Sequence, residues 1–131
     1  MIETIAVGTD GSETAGRAVE YACELAERYG ARLVLLSAFV AGPGDGWAAT
    51  DAVATERMLA NAEDAAAARG IETASAMLEG DPADVLVDLA ERHRADLLVI
   101  GNKGMDRRVL GSVPNTVTHK ARCSVFVVKT T

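Results

Sequence analysis

Apolar and polar residues follow two different spacings along this chain, and the two spacings alternate. Short runs that are apolar on both faces are typical of strands in parallel sheets, whose two faces are both covered by helices. Five such runs predict strands, at Thr4–Gly8, Arg32–Val40, Ile71–Leu78, Ala95–Ile100 and Ser124–Lys129. The third run is the least apolar of them, so we expect that strand nearer an edge of the sheet.

Between these runs, apolar residues recur every three or four positions, which is the spacing of an amphipathic helix. The first predicted helix follows Ser12 as its N-cap and ends just before Gly30. A second covers Thr50–Arg69, and a third follows Asp81, a predicted N-cap that precedes a proline. A fourth, short helix is predicted to follow Ser112 as its N-cap.

Five strands alternating with four helices predict right-handed βαβ units and a parallel sheet. The fold class is therefore α/β: a single-domain, five-stranded parallel sheet with helices on both faces, Rossmann-like. We expect residues 1–131 to form one domain, since 131 residues are long enough for one hydrophobic core. The 49% of apolar and 24% of charged residues are ordinary for a globular protein.

Charge and cysteine content narrow the classes of function. A net charge of −6 makes nucleic acid an unexpected partner. The N-terminal sequence lacks the features of a signal peptide, and no apolar run approaches the roughly 20 residues that span a bilayer. Cys23 and Cys123 belong to no metal-binding cluster, so we expect reduced thiols in a cytoplasmic protein with no membrane partner and no metal site of its own.

Two predicted strand ends carry residues suited to ligand binding. The first strand runs into Gly8–Ser12 (GTDGS), and the fourth runs into Gly101–Ser112 (GNKGMDRRVLGS). In parallel sheets, ligands bind beyond the carboxyl ends of the strands where the strand order reverses, so neighbouring strands would bring both turns to one crevice. Glycines allow backbone N–H groups to approach an anion, and a helix N-terminus favours negative charge. The second segment is neither a Walker A motif nor a GxGxxG motif, but it is built to bind phosphate.

The motifs together resemble the universal stress protein family over the whole chain, and in particular its ATP-binding branch. They are VGTDGS after the first strand, SAF at the end of the second, EGDP before the third helix, and ADLLVIGNKG…LGSVPN…CSVFVV towards the C-terminus. The resemblance implies an adenine nucleotide alpha hydrolase-like sheet. It also implies an adenine nucleotide lying across the ends of strands 1 and 4.

The resemblance also implies the site residues. The backbone at Ala38 would meet the adenine, Asp10 would lie by the base or ribose, and the glycines of the second segment with Ser112 would hold phosphates. Val113 would complete that turn. The nucleotide-binding set is Gly8, Thr9, Asp10, Ala38, Gly101, Lys103, Gly104, Arg108, Gly111, Ser112 and Val113.

The expected ligand is ATP or another adenine nucleotide, AMP or cyclic AMP, with Mg²⁺ as a possible companion of the phosphates. Only Met105–Leu110 separate the second and third glycines, a shorter segment than the family usually has. The resemblance therefore supports the adenosine end of the site better than the triphosphate end. Lys103, Arg107 and Arg108 are either solvated or close enough for one arginine to reach a phosphate.

Several functions fit this pattern. The first is a stress-response or regulatory protein that binds the nucleotide without efficient turnover. An ATPase needs a general base and metal-binding carboxylates, and only Asp10 and Asp106 are near, so hydrolysis should be very slow or absent and no catalytic residue is predicted. A nucleotidyl transferase would show an HxGH-type motif where GTDGS stands. A phospho-acceptor receiver fits Asp81 and Lys129 but lacks an acidic pair after the first strand.

The remaining alternative is a ligand-free dimeric interaction module of the same fold with a vestigial nucleotide site. The last strand is apolar and, as a sheet edge, would expose unpaired backbone groups. The resemblance implies a homodimer that pairs this strand with its copy, through Val125, Phe126, Val127 and Val128.

Overall fold

The computed structural model describes residues 1–40, 52–102 and 111–129. Within these ranges, strands and helices alternate in the predicted order. The elements are β1 (Thr4–Gly8), α1 (Glu13–Tyr29), β2 (Arg32–Phe39), α2 (Ala52–Ala67), β3 (Thr73–Glu79), α3 (Pro82–Arg92), β4 (Leu97–Asn102), α4 (Ser112–Lys120) and β5 (Ser124–Lys129).

The strands form one parallel sheet in the order β3-β2-β1-β4-β5, which confirms the predicted fold class. The chain runs outward from β1 to β3 on one side, and then returns to place β4 on the other side of β1. Ile5 pairs with Leu97 and Val7 with Val99, so β1 and β4 are neighbours at the point where the strand order reverses. This is where parallel sheets open a crevice for a ligand.

Both faces of the sheet are buried at the three central strands, β1, β2 and β4, which explains why these strands are continuously apolar. On one face, Ile5 and Val7 of β1 pack with Leu33 and Leu35 of β2 beneath α1 and α2. On the other face, Ala6 packs in a second cluster beneath α3 and α4. Successive residues of a strand point to opposite faces, so the face of each residue at a strand end follows from the residues before it.

Three of the predicted helix boundaries are confirmed. Ser12 caps α1 by accepting a hydrogen bond from the N–H of Ala15 at 3.2 Å, and Gly30 ends the helix with φ 64°. Asp81 caps α3 by accepting a hydrogen bond from the N–H of Asp84. These residues satisfy backbone groups that the ends of a helix leave without partners.

The prediction that Ser112 caps α4 is wrong. Ser112 is the first residue of the helix, the N-cap position belongs to Gly111, and no side chain accepts a hydrogen bond there as a cap. The reason lies one residue earlier, where the buried side chain of Asn102 accepts a hydrogen bond from the N–H of Gly111 and fixes it in an extended conformation before the helix. Ser112 is exposed.

Two strands begin two residues later than predicted, at Thr73 and Leu97. Asp96 precedes β4 and binds the start of β1 instead. Its carboxylate accepts hydrogen bonds from the N–H groups of Glu3 at 2.9 Å and Thr4 at 3.0 Å, and these bonds lower the pKa of Asp96. In the described ranges, none of the helices is both long and apolar enough to cross a membrane.

Candidate functional site

A cavity of about 190 Å³ lies at the carboxyl edge of the sheet, beside the ends of β1, β2 and β4. We call it the carboxyl-edge cavity. Its lining residues are Gly8, Thr9, Asp10, Ser12, Thr14, Ala15, Ser37, Ala38, Pro82, Leu86, Ile100, Gly101 and Val113. It occupies the strand-order reversal, as the two glycine-containing turns predicted.

One wall of the carboxyl-edge cavity is apolar. The core cluster beneath α3 and α4 extends to it, because that cluster includes lining residues from strands and helices alike. They are Ala38, Leu86, Ile100 and Val113, with Pro82 beside them. Such a wall suits the flat face of an aromatic ring, which gains free energy by leaving water.

The opposite side of the cavity carries hydroxyl groups and one carboxylate. Thr9 and Asp10 follow β1, Ser12 and Thr14 lie at the start of α1, and Ser37 lies near the end of β2. Helices α1, α3 and α4 all begin at the cavity. Helix N-termini carry partial positive charge and N–H groups without helical partners, so the edge favours an anion.

The turn after β1 is held by its own hydrogen bonds. The N–H of Thr9 donates to the carbonyl of Leu36 at 2.9 Å, the N–H of Gly11 to Oγ1 of Thr9 at 3.1 Å, and the N–H of Ser12 to Oδ1 of Asp10 at 2.9 Å. Gly11 has φ 81°, a conformation that favours glycine. The turn is therefore ordered, and Asp10 is an exposed residue of the cavity lining.

Gly8 brings the backbone of β1 close to α3. A Cβ at this position would lie 2.8 Å from Cδ1 of Leu86 and 2.9 Å from its Cδ2. Any larger residue would push Leu86, which forms part of the apolar wall. The glycine thus shapes the carboxyl-edge cavity through packing as well as through backbone access.

The predicted site residues fall into three groups. Six of them line the cavity together: Gly8, Thr9, Asp10, Ala38, Gly101 and Val113. Gly111 and Ser112 are not among its lining residues but directly precede Val113, with the N–H of Gly111 bound to Asn102. Lys103, Gly104 and Arg108 lie outside the described residues, as does the predicted contribution of Arg107.

The sequence did not identify several lining residues. In the sequence, Thr14, Ala15, Pro82, Leu86 and Ile100 show only the spacing of helices and strands, yet they line the cavity. Ser37 was also missed, although a signal existed: it is a polar residue inside the otherwise apolar run LVLLSAF. A serine buried in a strand that ends at a ligand edge is a candidate contact.

The described lining of the cavity contains few groups that could act as a nucleophile or bind a metal ion. Both cysteines are free and lie away from the cavity lining, and burial raises the pKa of the Cys23 and Cys123 thiols, which leaves them neutral at pH 7. Among the residues that the structure describes, no group of three or more His, Cys, Asp or Glu side chains could hold a metal ion.

Known proteins match the chain over nearly its full length. The profile of the universal stress protein family matches residues 1–129. A universal stress protein of Mycobacterium tuberculosis is 36% identical over 143 aligned residues, which cover 98% of this chain and 97% of that protein.

Solved structures give the same result. A universal stress protein in complex with cAMP has a TM-score of 0.80 and 33% identity, covering 99% of each chain. One from Archaeoglobus fulgidus in complex with dAMP has a TM-score of 0.73 and 29% identity, covering 98% of this chain and 100% of that chain.

Proposed function

The chain belongs to the universal stress protein family, and on that premise we propose that it binds an adenine nucleotide in the carboxyl-edge cavity. It acts as a stress-response or regulatory protein without efficient turnover, and its two free thiols suit the reducing cytoplasm. The base lies against the wall that contains Ala38, the sugar lies near Asp10, and phosphate extends from Gly101 towards the start of α4.

The two-sided lining of the cavity carries this proposal. A nucleotide has an apolar face, a sugar with hydroxyl groups and an anionic end, and the cavity offers an apolar wall, hydroxyl groups and helix N-termini. Related structures hold cAMP and dAMP, which share an adenine ring and a single phosphate. The class of ligand proposed is therefore an adenine nucleotide, with AMP, cAMP and ATP as candidates.

The absence of efficient turnover follows from the same lining. Hydrolysis of ATP requires a group that positions or deprotonates water and carboxylates that hold a metal. Within the described lining, Asp10 is the one carboxylate, and one of its oxygens already accepts the N–H of Ser12. We therefore expect any hydrolysis of ATP to be very slow.

Two experiments test nucleotide binding. Mass spectrometry of protein purified without added nucleotide would identify a ligand that it retains. Thermal unfolding with ATP, ADP, AMP, cAMP and GTP should show stabilisation by the adenine compounds over GTP, because a ligand that binds the folded state raises its stability. No shift with any of them at millimolar concentration would favour the alternative, a ligand-free interaction module.

A pair of cavity-filling variants locates the binding. Ala38→Leu adds bulk to the apolar wall and should abolish the ligand-dependent shift. Ala121→Leu makes the same change at a second cavity, of about 150 Å³, which lies beside Ala95 and Cys123 at the opposite edge of the sheet. This control should keep the shift. Loss of the shift in both variants would indicate a general folding defect instead.

We also propose a homodimer through β5. This strand is the outer strand on one side of the sheet, and it exposes apolar side chains. Phe126 is 36% exposed and contacts Tyr21 of α1, itself 48% exposed, with ring centroids 5.9 Å apart. Pairing β5 with its copy would satisfy the edge backbone groups and cover these rings.

A further inference from the structure

The hydroxyl group of Ser37 is placed as a ligand contact would be. Ser37 is 2% exposed and lines the carboxyl-edge cavity near the end of β2. Within the described part of the chain, its hydroxyl makes no hydrogen bond. Its oxygen is open to the cavity rather than sealed in the core, so a ligand there can reach it.

A second buried hydroxyl lies beside it. The register pairs Gly8 with Leu36, so Thr9 and Ser37 follow on neighbouring strands. Val7 and Leu35 belong to the core cluster beneath α1, and the two-residue period places Thr9 and Ser37 on that same face. Thr9 is 9% exposed, and its Oγ1 accepts from the N–H of Gly11. The two residues form a polar floor opposite the apolar wall.

Within this floor, Ser37 lies far from the expected phosphates. Ser37 is on β2 and Gly101 is at the end of β4, with β1 between them. Strands are spaced by about 4.8 Å, so the two positions are roughly 10 Å apart across the sheet. A nucleotide whose phosphate lies near Gly101 presents its base or sugar to Ser37.

Resting on the proposed function, we infer that the Ser37 hydroxyl hydrogen-bonds the nucleoside part of the bound nucleotide. The contact is neutral and does not involve phosphate. Loss of this contact should therefore weaken the binding of AMP and of ATP by the same factor. The hydroxyl faces the cavity without a partner from the described chain, and a ligand atom bound there supplies one.

The test compares Ser37→Ala and Ser37→Cys with the wild-type chain by calorimetric titration of AMP and ATP. Both variants should bind each nucleotide about three- to tenfold more weakly, which is the range for one lost neutral hydrogen bond. Cysteine is close to serine in shape but is a weak hydrogen-bond donor. Weaker binding by Ser37→Cys would therefore be due to the lost hydrogen bond and not to lost packing. Ser124→Ala, which removes an exposed hydroxyl at the start of β5, is the matched control and should change neither affinity.

Unfolding of the ligand-free variants distinguishes a ligand contact from a structural role. Because the Ser37 hydroxyl makes no hydrogen bond within the described part of the chain, Ser37→Ala should be about as stable as the wild-type chain. A marked loss of stability would overturn the inference. So would unchanged affinity in Ser37→Ala, wild-type affinity in Ser37→Cys, or a loss confined to ATP. If the wild-type chain binds neither nucleotide, the proposed function itself fails, and this inference fails with it.

Discussion

The side-chain oxygen of Asn102 accepts a hydrogen bond from the backbone N–H of Gly111 at 2.9 Å. Asn102 is the last residue of β4 and is fully buried, and Gly111 is the N-cap of α4. This bond therefore joins the two ends of the glycine-containing segment and fixes where α4 begins. Because Val113 lies two residues after Gly111, the bond also positions this part of the lining of the carboxyl-edge cavity.

Replacing Asn102 should loosen this edge. Asn102→Ala leaves the N–H of Gly111 without its acceptor and opens a small void, so we expect a loss of about 1–3 kcal/mol in the free energy of unfolding and weaker nucleotide binding. Chemical denaturation and titration with AMP would measure the two effects. Asn115→Ala removes an exposed amide from α4 and serves as the control. Equal stability of the two variants would contradict the role given to Asn102.

Replacing Gly11 and Gly16 by alanine should change the stability of the protein in opposite directions. Gly11 has φ 81°, and a Cβ there would lie 2.9 Å from Cγ of Met58 in α2. Gly11→Ala should therefore cost about 1–2 kcal/mol in strain, with a further cost from displacing Met58. Gly16 lies within α1 with nothing within 4 Å of a Cβ, so Gly16→Ala should stabilise by roughly 0.5–1 kcal/mol. Thermal unfolding measures both, and a shift of the same sign in both variants would refute the assigned turn geometry.

The carboxyl group of Asp96 should make the folding stability depend on pH in the acidic range. Hydrogen bonds from the N–H groups of Glu3 and Thr4 lower the pKa of Asp96 in the folded state. A lowered folded-state pKa adds stability that is fully present above the unfolded-state pKa, roughly 3.9, and is lost as the pH falls through the folded-state value. Asp96→Asn should be less stable than wild type at pH 7, and the difference should shrink below about pH 4. A difference that is constant from pH 7 to pH 2 would exclude this linkage.

The fold was predictable because its signals are local and repeated. The apolar runs ending at Gly8 and beginning at Ser124 gave exact strand boundaries, and the caps Ser12 and Asp81 were recognisable from residue type and position. The order of the strands in the sheet could not be derived from the sequence pattern alone, and the shared crevice was expected only if β1 and β4 were neighbours. That β1 and β4 are neighbours depends on contacts across the sheet, which the sequence pattern does not contain.

The lining of the candidate site was predictable where backbone geometry determines it and less so where packing does. Glycines and Asp10 at strand ends are visible in the sequence, whereas Leu86 lines the cavity only because α3 crosses the sheet at that point. The error at Ser112 has the same origin. A serine before a helix is a good cap by residue type, but the side chain of Asn102, nine residues before Gly111, determines the start of the helix.

If the chain dimerises through β5, a charge introduced on this strand should convert the dimer into monomers. Val127 is half-buried on this outer strand, and Val127→Lys would place a charge at the pairing edge, so the variant should sediment as a monomer. Thr73→Lys makes a similar change in β3, the outer strand of the other side, and should leave the dimer intact. A wild-type chain that is monomeric at high concentration would rule out the proposed dimer.

The affinity ratio between ATP and AMP tests which end of the nucleotide the chain recognises. The described lining of the carboxyl-edge cavity contains no lysine or arginine, so a side-chain cation for the far phosphates has to come from outside that lining. Lys103, Arg107 and Arg108 are the candidates in the segment that follows β4. The resemblance to the family implies that the segment that carries them is shortened. A phosphate that gains no donor keeps its hydration and adds little affinity. We therefore expect ATP and AMP to differ by less than about tenfold, or 1.4 kcal/mol, in calorimetric titrations with the same magnesium buffer. ATP binding a hundredfold more tightly than AMP would show that these cations form a full triphosphate site despite the shorter segment.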